Sequence, residues 1–296
     1  MKSYRQGFKV WSKWCRRYRD VLPFPARAID FTFFIVSVVQ ENGRYGRIQQ
    51  AFNAVNWLHK IAGAPNPCDT GLVRSVKEAA KRILKKPTVK KCPIKPRHLR
   101  LLVHNFATSD LKSLRVPTIA LLSYAGFLRY DEAIKIRRSD IQFKHTFLTL
   151  FVESSKTDQE RNGETVYIAR TRKATCPYDM LRSYISIANI SPDDDNYIFR
   201  PLVRLKAGHR MKDARKPISY TTARECVMEA ISSIGLNRKM FGTHSFRRGG
   251  ATQSAKRGIS DRLFKKHGRW KSDNAKDGYV SEDLAERLSV TRNLGI

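Results

Sequence analysis

A basic segment that contains three prolines divides this sequence into two parts. Residues 81 to 100 carry nine Lys or Arg and no acidic residue, with prolines at positions 87, 93 and 96. Proline fixes the backbone φ angle and has no amide donor, so a proline-containing segment tends to be extended and stiff. We therefore expect two domains, at residues 1–86 and 97–296, joined by a basic linker at residues 87–96.

The net charge of the sequence indicates a polyanionic partner. The 296 residues include 57 Lys and Arg against 26 Asp and Glu, which gives a formal charge of +31. Basic side chains that neutralise phosphates release condensed counterions, and this release drives binding. Nucleic acid is the partner that this charge and size favour. Association with ribosomes or with an anionic membrane is the alternative.

Cysteine usage and hydropathy restrict the class of protein further. The five cysteines are widely spaced and include no Cys-x-x-Cys pair, which disfavours both a disulfide framework and a zinc site. No apolar run reaches the roughly eighteen residues of a membrane span. We expect an intracellular protein with no membrane segment, metal or small-molecule cofactor. It would be located in the nucleus if the host is a eukaryote and in the cytoplasm otherwise.

Hydrophobic periodicity predicts a mainly α-helical fold with a small β-sheet. In the first part, apolar residues at helical spacing predict four short helices whose aromatic side chains form a core. In the second part, residues 189–217 are polar and predict a loop. The other predicted elements there are helices at 99–106, 117–128 and 130–137, a β-hairpin at 147–169, helices at 177–187 and 221–234, and the C-terminal helices.

Five side chains carry the chemistry needed to break a phosphodiester without a metal ion. Arg129 follows an apolar helix, Lys156 lies in the predicted hairpin, and Tyr279 lies late in the sequence. His244 and Arg247 share a helix face because residues three apart are neighbours there. Arginine binds phosphate oxygens with paired donors. A tyrosine can attack the phosphorus if a histidine accepts its proton, and a lysine can protonate the departing oxygen.

The contexts of these residues resemble the tyrosine recombinases of the phage integrase family. Residues 126–132 (GFLRYDE) are similar to the family motif in which an apolar helix ends at the first catalytic arginine, here Arg129. Glu132 matches the acidic residue that supports the active site in that family. Lys156, in the sequence ESSKTD, resembles the catalytic lysine of the family hairpin.

The C-terminal motifs extend the resemblance to nearly the whole chain. His244 and Arg247 match the second family motif, and Trp270 matches a position at which members carry His or Trp. Tyr279, nine residues later, matches the nucleophile. The resemblance implies an N-terminal four-helix core-binding (SAM-like) domain and a tyrosine recombinase catalytic domain that form a C-shaped clamp on double-stranded DNA. It also implies dimers or tetramers on DNA.

Two basic residues near these motifs are given no catalytic role. Arg248 stands where many relatives have His, so we assign it no role. His267 lies twelve residues before Tyr279, too far for the third motif, and we expect a helix-end or DNA-backbone residue. Residues 268–272 (GRWKS) resemble recombinases of eukaryotic mobile elements of the retrotransposon or crypton type, with phage and bacterial members as alternatives.

The resemblance implies a site-specific recombinase or integrase, encoded by a mobile element, that forms a 3′-phosphotyrosyl bond to DNA. A type IB topoisomerase uses nearly the same residues and is one alternative. A domesticated DNA-binding protein that no longer cuts is another. Beyond Tyr279, apolar residues at 284, 288 and 290 lie near helical spacing. This segment could pack on its own domain or dock on a neighbouring protomer.

Overall fold

Two compact units make up the chain. The computed structural model describes residues 2–86, 90–153, 163–282 and 284–293. The first unit is Met1–Val89 and the second is Lys90–Ile296. Both are mainly helical, and the small sheet lies in the second unit, which confirms the predicted fold class. No helix in the described ranges is long and apolar enough to span a membrane.

The first unit contains the four predicted helices. They are α1 (Lys2–Cys15), α2 (Ala28–Gln40), α3 (Tyr45–Ile61) and α4 (Gly71–Leu84), with a short 3₁₀ turn at Pro67–Asp69. Trp11, Phe31 and Phe34 are fully buried between them, and the ring of Trp11 meets both phenylalanine rings edge-on. The aromatic residues of these helices therefore form a core, as expected from their spacing.

The second unit has nine helices and five strands in the part that the structure describes. The helices are α5 (Pro96–Phe106), α6 (Leu111–Ala125), α7 (Tyr130–Ile134), α8 (Pro177–Ile187), α9 (Tyr220–Ser233), α10 (His244–Lys256), α11 (Asp261–Gly268), α12 (Asp273–Asp277) and α13 (Leu284–Arg292). The strands are β1 (Ile141–Phe143), β2 (Phe147–Val152), β3 (Glu164–Ala169), β4 (Leu202–Arg204) and β5 (His209–Met211).

The three-stranded sheet contains the predicted hairpin. Strands β1, β2 and β3 are antiparallel neighbours in that order, and β2 pairs with β3 from Phe147↔Ala169 to Val152↔Glu164. Alternate residues of β2, such as Leu148 and Leu150, are buried in the core of this unit. Lys156 lies in the connection between β2 and β3, outside the described residues.

Several predicted element boundaries are corrected by the structure. Helix α6 begins at Leu111 instead of residue 117, capped by Asp110, and contains Pro117 in its interior. Burial of nearly the whole helix outweighs the helix-breaking preference of this proline. Helix α7 ends at Ile134 instead of residue 137. The predicted loop at 189–217 contains the β4–β5 hairpin.

The whole described part of the predicted linker, residues 90–96, belongs to the second unit. The amides of Cys92 and Ile94 donate to the carbonyls of Met240 (2.8 Å) and Ser245 (2.9 Å), and Ile94 is 1% exposed. The prolines keep this segment extended, so alternate amides reach Met240, which precedes α10, and Ser245, in the first turn of α10. Residues 90–96 are thus held by the second unit.

Candidate active site

Four segments of the second unit converge around one carboxylate and three arginines. They are the turn between α6 and α7, the first turns of α10, the turn after α11, and the residues that follow α12. Each segment carries at least one of the residues that the sequence analysis selected. Large separations in sequence thus become contacts of a few ångströms.

Glu132 is the acceptor at the centre of this cluster. Its Oε1 accepts a hydrogen bond from Nη1 of Arg129 (2.7 Å), and its Oε2 accepts one from the backbone amide of Arg129 (2.8 Å). The second bond caps α7, because a glutamate at the third helical position can reach back to the residue before the helix. Arg129 is thereby fixed at both its backbone and its side chain.

The carboxyl of Glu132 is ionised at neutral pH. Burial raises its pKa, but the charge of Arg269 and the hydrogen bonds from Arg129 outweigh burial and bring the pKa below its ordinary value. Removing both arginine partners, Arg129 and Arg269, would leave an uncompensated buried charge at Glu132.

Arg247 is the most deeply buried arginine of the cluster, with a fully buried side chain. It extends from α10, and its guanidinium donates to the carbonyls of Phe127 and Gly268, the latter at 2.6 Å. Burial and the neighbouring charge of Arg269 lower the pKa of Arg247 to about 10. The guanidinium therefore stays charged at neutral pH.

Phe127 adopts a left-handed backbone conformation, with φ 45°. This conformation is unfavourable for a bulky residue. It lets the Phe127 carbonyl accept from two guanidinium groups, those of Arg247 and Arg269 (3.3 Å). The turn that precedes Arg129 is thus shaped as an acceptor for buried arginines.

Arg269 is the third arginine, and the sequence analysis did not select it. Its Nη2 lies 2.8 Å from Oε2 of Glu132, and its side chain is 4% exposed. In the sequence, Arg269 was noted only as part of the GRWKS motif. Its partner lies 137 positions away in sequence, and no local spacing signals such a contact.

Trp270 and Tyr279 bring their rings to the guanidinium of Arg247. The guanidinium carbon lies 5.0 Å from the Trp270 ring centroid and 4.9 Å from that of Tyr279. The two rings are 5.6 Å apart. Gly268 makes room for the indole, because a Cβ there would lie 2.0 Å from the Trp270 ring. Tyr279 is half-buried.

His244 and the rest of α10 contact the tyrosine segment from the other side. His244 is the exposed first residue of α10, and its ring centroid is 6.4 Å from that of Tyr279. Thr252 donates to the Tyr279 carbonyl (3.4 Å) and accepts from the Ser281 amide (3.1 Å). Arg248 lies 3.5 Å from the Val280 carbonyl, so it supports this segment.

His267 is a helix-end residue, one of the two roles expected for it. It lies in the last turn of α11, and its Nε2 is 2.7 Å from the carbonyl oxygen of Ala125. A carbonyl only accepts, so Nε2 carries the hydrogen. Burial lowers the pKa of His267, and the neutral ring packs edge-on against Phe127.

The site is suited to an anion that offers several acceptor oxygens. Three guanidinium groups and one carboxylate leave two net positive charges in the cluster. Within the described ranges, Nε of Arg247 and Nε1 of Trp270 are buried donors with no acceptor. Buried donors are normally paired. No group of three or more potential metal ligands occurs in the described residues.

The structure therefore brings together six of the seven predicted site residues. Arg129, Glu132, Arg247, Trp270 and Tyr279 form one connected cluster, and His244 lies beside it. Their catalytic roles remain predictions. The role of Lys156 also remains a prediction, since it lies outside the described residues.

Comparison with solved structures defines the class of fold. A XerH site-specific recombinase, bound to a palindromic difH substrate in a post-cleavage complex, superposes with a TM-score of 0.68. The similarity covers 99% of this chain and 79% of that chain, at 15% sequence identity. The architecture is that of a tyrosine recombinase.

Sequence comparison gives the family. An integrase/recombinase xerD homolog of Selenomonas ruminantium is 27% identical over 288 residues, which cover 95% of this chain and 81% of the relative. Recombinase cre of Escherichia phage P1 is 24% identical over 314 residues, which cover 97% and 84%. The phage integrase family model matches residues 94–286. The chain belongs to this family of DNA-cleaving and rejoining enzymes, which confirms the resemblance to the phage integrase family but not the resemblance to recombinases of eukaryotic mobile elements.

Proposed function

We propose that this protein is a site-specific DNA recombinase or integrase that acts through Tyr279. The Tyr279 oxygen attacks a phosphodiester, the bond from phosphorus to the 5′ oxygen breaks, and a 3′-phosphotyrosyl bond forms. Attack of a 5′-hydroxyl from a second strand then releases the tyrosine and rejoins the DNA. The bond energy is conserved, so ATP is not required, and the arginines supply the positive charge that a metal ion would otherwise provide.

The observation that carries this proposal is the contact between Arg247 and the Tyr279 ring, at 4.9 Å. Arg247 and Arg129 supply fixed positive charge for the phosphate oxygens, which become more negative in the transition state. Trp270 offers a further buried donor.

Two proton transfers complete the reaction. His244, whose ring lies near that of Tyr279, accepts the phenol proton or bonds a phosphate oxygen. Lys156, in the β2–β3 connection, donates a proton to the departing 5′ oxygen. Both assignments follow from the family motifs, and together they account for the two protons that move during cleavage.

The proposal includes an origin in a mobile element and assembly on DNA. The GRWKS sequence at 268–272 supports the first. Exchange between two duplexes requires more than one active site, so we expect dimers or tetramers on paired sites. The charge of +31 on each chain opposes self-association until DNA neutralises it. A nuclear location follows if the host is a eukaryote.

Covalent capture of DNA tests the proposal. The full chain is incubated in EDTA with a library of random duplexes, and denatured adducts are isolated and sequenced. We expect an adduct on preferred sequences, with the nucleotide on Tyr279 in peptide mapping. Tyr279→Phe should give no adduct and bind DNA as before, because only the phenol oxygen is removed.

Tyr167→Phe is the matched control, since Tyr167 is exposed on β3 and its variant should form adducts normally. An adduct formed by Tyr279→Phe would show that another residue is the nucleophile. No adduct from the unmodified protein would favour the non-cleaving alternative. Relaxation of supercoiled plasmid without strand exchange would favour the topoisomerase alternative.

A further inference from the structure

Arg269 has a left-handed backbone conformation, which residues other than glycine rarely adopt. It ends α11 with φ 56° and ψ 40°, in the left-handed region. Glycine is the residue that usually fills such a position after a helix, because it has no Cβ. A non-glycine residue in such a conformation persists when the surrounding structure favours it, and such residues cluster at functional sites.

The guanidinium of Arg269 makes its shortest hydrogen bonds to Glu132 and to the turn that carries Arg129. Its Nη2 bonds Oε2 of Glu132 at 2.8 Å, and further donors lie 3.3 Å from the carbonyls of Gly126 and Phe127. The residue is 8% exposed. Unlike Arg247, whose guanidinium lies beside the Tyr279 ring, Arg269 faces Glu132 and the carbonyls of Gly126 and Phe127, so we expect its effect to pass through these neighbours.

The neighbours of Arg269 are the groups that hold the proposed phosphate-binding arginines. Glu132 uses Oε1 for Arg129, while its Oε2 lies 2.8 Å from Arg269 and 4.0 Å from Nη1 of Arg247. Without Arg269, Oε2 keeps the backbone amide of Arg129 as a donor, and the guanidinium of Arg247 lies 4.0 Å away. Electrostatic attraction would then draw Arg247 toward Glu132 and away from the Tyr279 ring.

We propose that Arg269 is a positioning residue that keeps Glu132 occupied and thereby leaves Arg247 directed toward the scissile phosphate. This inference rests on the proposed function, because it concerns the geometry of the same reaction. This role depends on the planar guanidinium of Arg269, which can donate hydrogen bonds to one carboxylate oxygen and two carbonyls at the same time. A lysine ammonium is a single point of charge and satisfies this arrangement only in part.

Arg269→Gly and Arg269→Lys test the proposal on the full chain. Glycine suits the left-handed backbone, so the first variant removes the guanidinium without adding backbone strain. We expect adduct formation at saturating DNA to slow by about a hundredfold, the scale of a misplaced catalytic group. The Kd for DNA should stay within about twofold, and Arg269→Lys should recover part of the rate.

Arg172→Gly is a matched control. Arg172 is an exposed arginine of the same unit, also left-handed, with φ 55°. The control therefore removes one charge and relieves the same backbone conformation away from Glu132. Its adduct rate should equal that of the unmodified protein.

A double-mutant cycle with Glu132→Gln identifies the route of the effect. If Arg269 acts through Glu132, Arg269→Gly should slow the Glu132→Gln protein far less than it slows the unmodified one. Equal slowing in both backgrounds would overturn that route.

Two further results would overturn the inference while the proposed function stood. One is an unchanged adduct rate for Arg269→Gly. The other is a loss of rate, in both Arg269 variants, that merely follows the loss of folded protein measured by circular dichroism. By contrast, if the unmodified protein forms no adduct, the proposed function itself fails.

Discussion

At the scale of single residues, the site depends on how one carboxylate is shared. Glu132 gives Oε1 to the Arg129 side chain, and Oε2 to the Arg129 amide and Arg269. Arg129 keeps a side chain that is 17% exposed, whereas Arg247 is fully buried. Of the two proposed phosphate-binding residues, Arg129 can thus be altered with less damage to the core.

We expect Arg129→Ala to slow adduct formation by at least about a hundredfold, the cost of removing one preorganised charge stabiliser. The fold should survive, because Arg269 still neutralises Glu132. Lys135→Ala is the control: Lys135 forms an exposed pair with Asp131 just after α7, and such pairs contribute little. Single-turnover assays would measure the rate of adduct formation for both variants. An unchanged rate for Arg129→Ala would show that Arg129 takes no part in the mechanism.

The sequence allowed most of this site to be predicted, and the limit has a physical cause. Arg129, Glu132, Arg247, Trp270 and Tyr279 belong to motifs whose residues are close in sequence or fixed in spacing. The role of Arg269 could not be predicted, because its contact with the distant Glu132 depends on how the turn after α11 packs against the turn before α7. That relation exists only in the folded chain.

At the scale of elements, two glycines of α10 set how closely it packs. A Cβ on Gly249 would lie 2.1 Å from the carbonyl oxygen of Ile94, and one on Gly250 would lie 2.1 Å from that of Tyr124. Both obstacles are backbone atoms, which cannot rotate away. Helix α10, which carries Arg247, is therefore positioned directly against the end of α6.

Gly250→Ala should lower the free energy of unfolding of the second unit by about 1–3 kcal/mol, the usual cost of overpacking. Urea titration followed by circular dichroism would measure this change. Gly242→Ala is the control in the same unit, since a Cβ there meets only the Lys91 side chain, at an ordinary 3.5 Å. Equal stability of the two variants would contradict the close approach described here.

The helices were easier to predict than the short strands. Apolar residues at helical spacing predicted the number and approximate position of the four helices of the first unit. Strands β4 and β5 have three residues each, and the segment around them is rich in charged residues. Three residues are too few for an alternating pattern to be recognised, so their pairing could not be anticipated.

At the scale of the whole molecule, the excess of basic residues should dominate DNA affinity. We expect the logarithm of the binding constant to fall linearly with the logarithm of salt concentration, with a slope of about −0.9 for each phosphate contacted. Replacing Lys85 and Lys86, both exposed at the end of the first unit, with alanine should reduce that slope by up to about two. Fluorescence anisotropy on one duplex would measure it, and a salt-independent affinity would contradict a phosphate-driven mode.

The pairing of residues 90–96 with the catalytic unit has a mechanical consequence. Tension in the chain between the two units acts first on this segment, whose amides at Cys92 and Ile94 are bonded to Met240 and Ser245. Ser245 lies two residues before Arg247 on the same rigid helix. A force on residues 90–96 is therefore transmitted through the Ile94–Ser245 hydrogen bond to α10. This helix carries Arg247, whose guanidinium lies beside Tyr279.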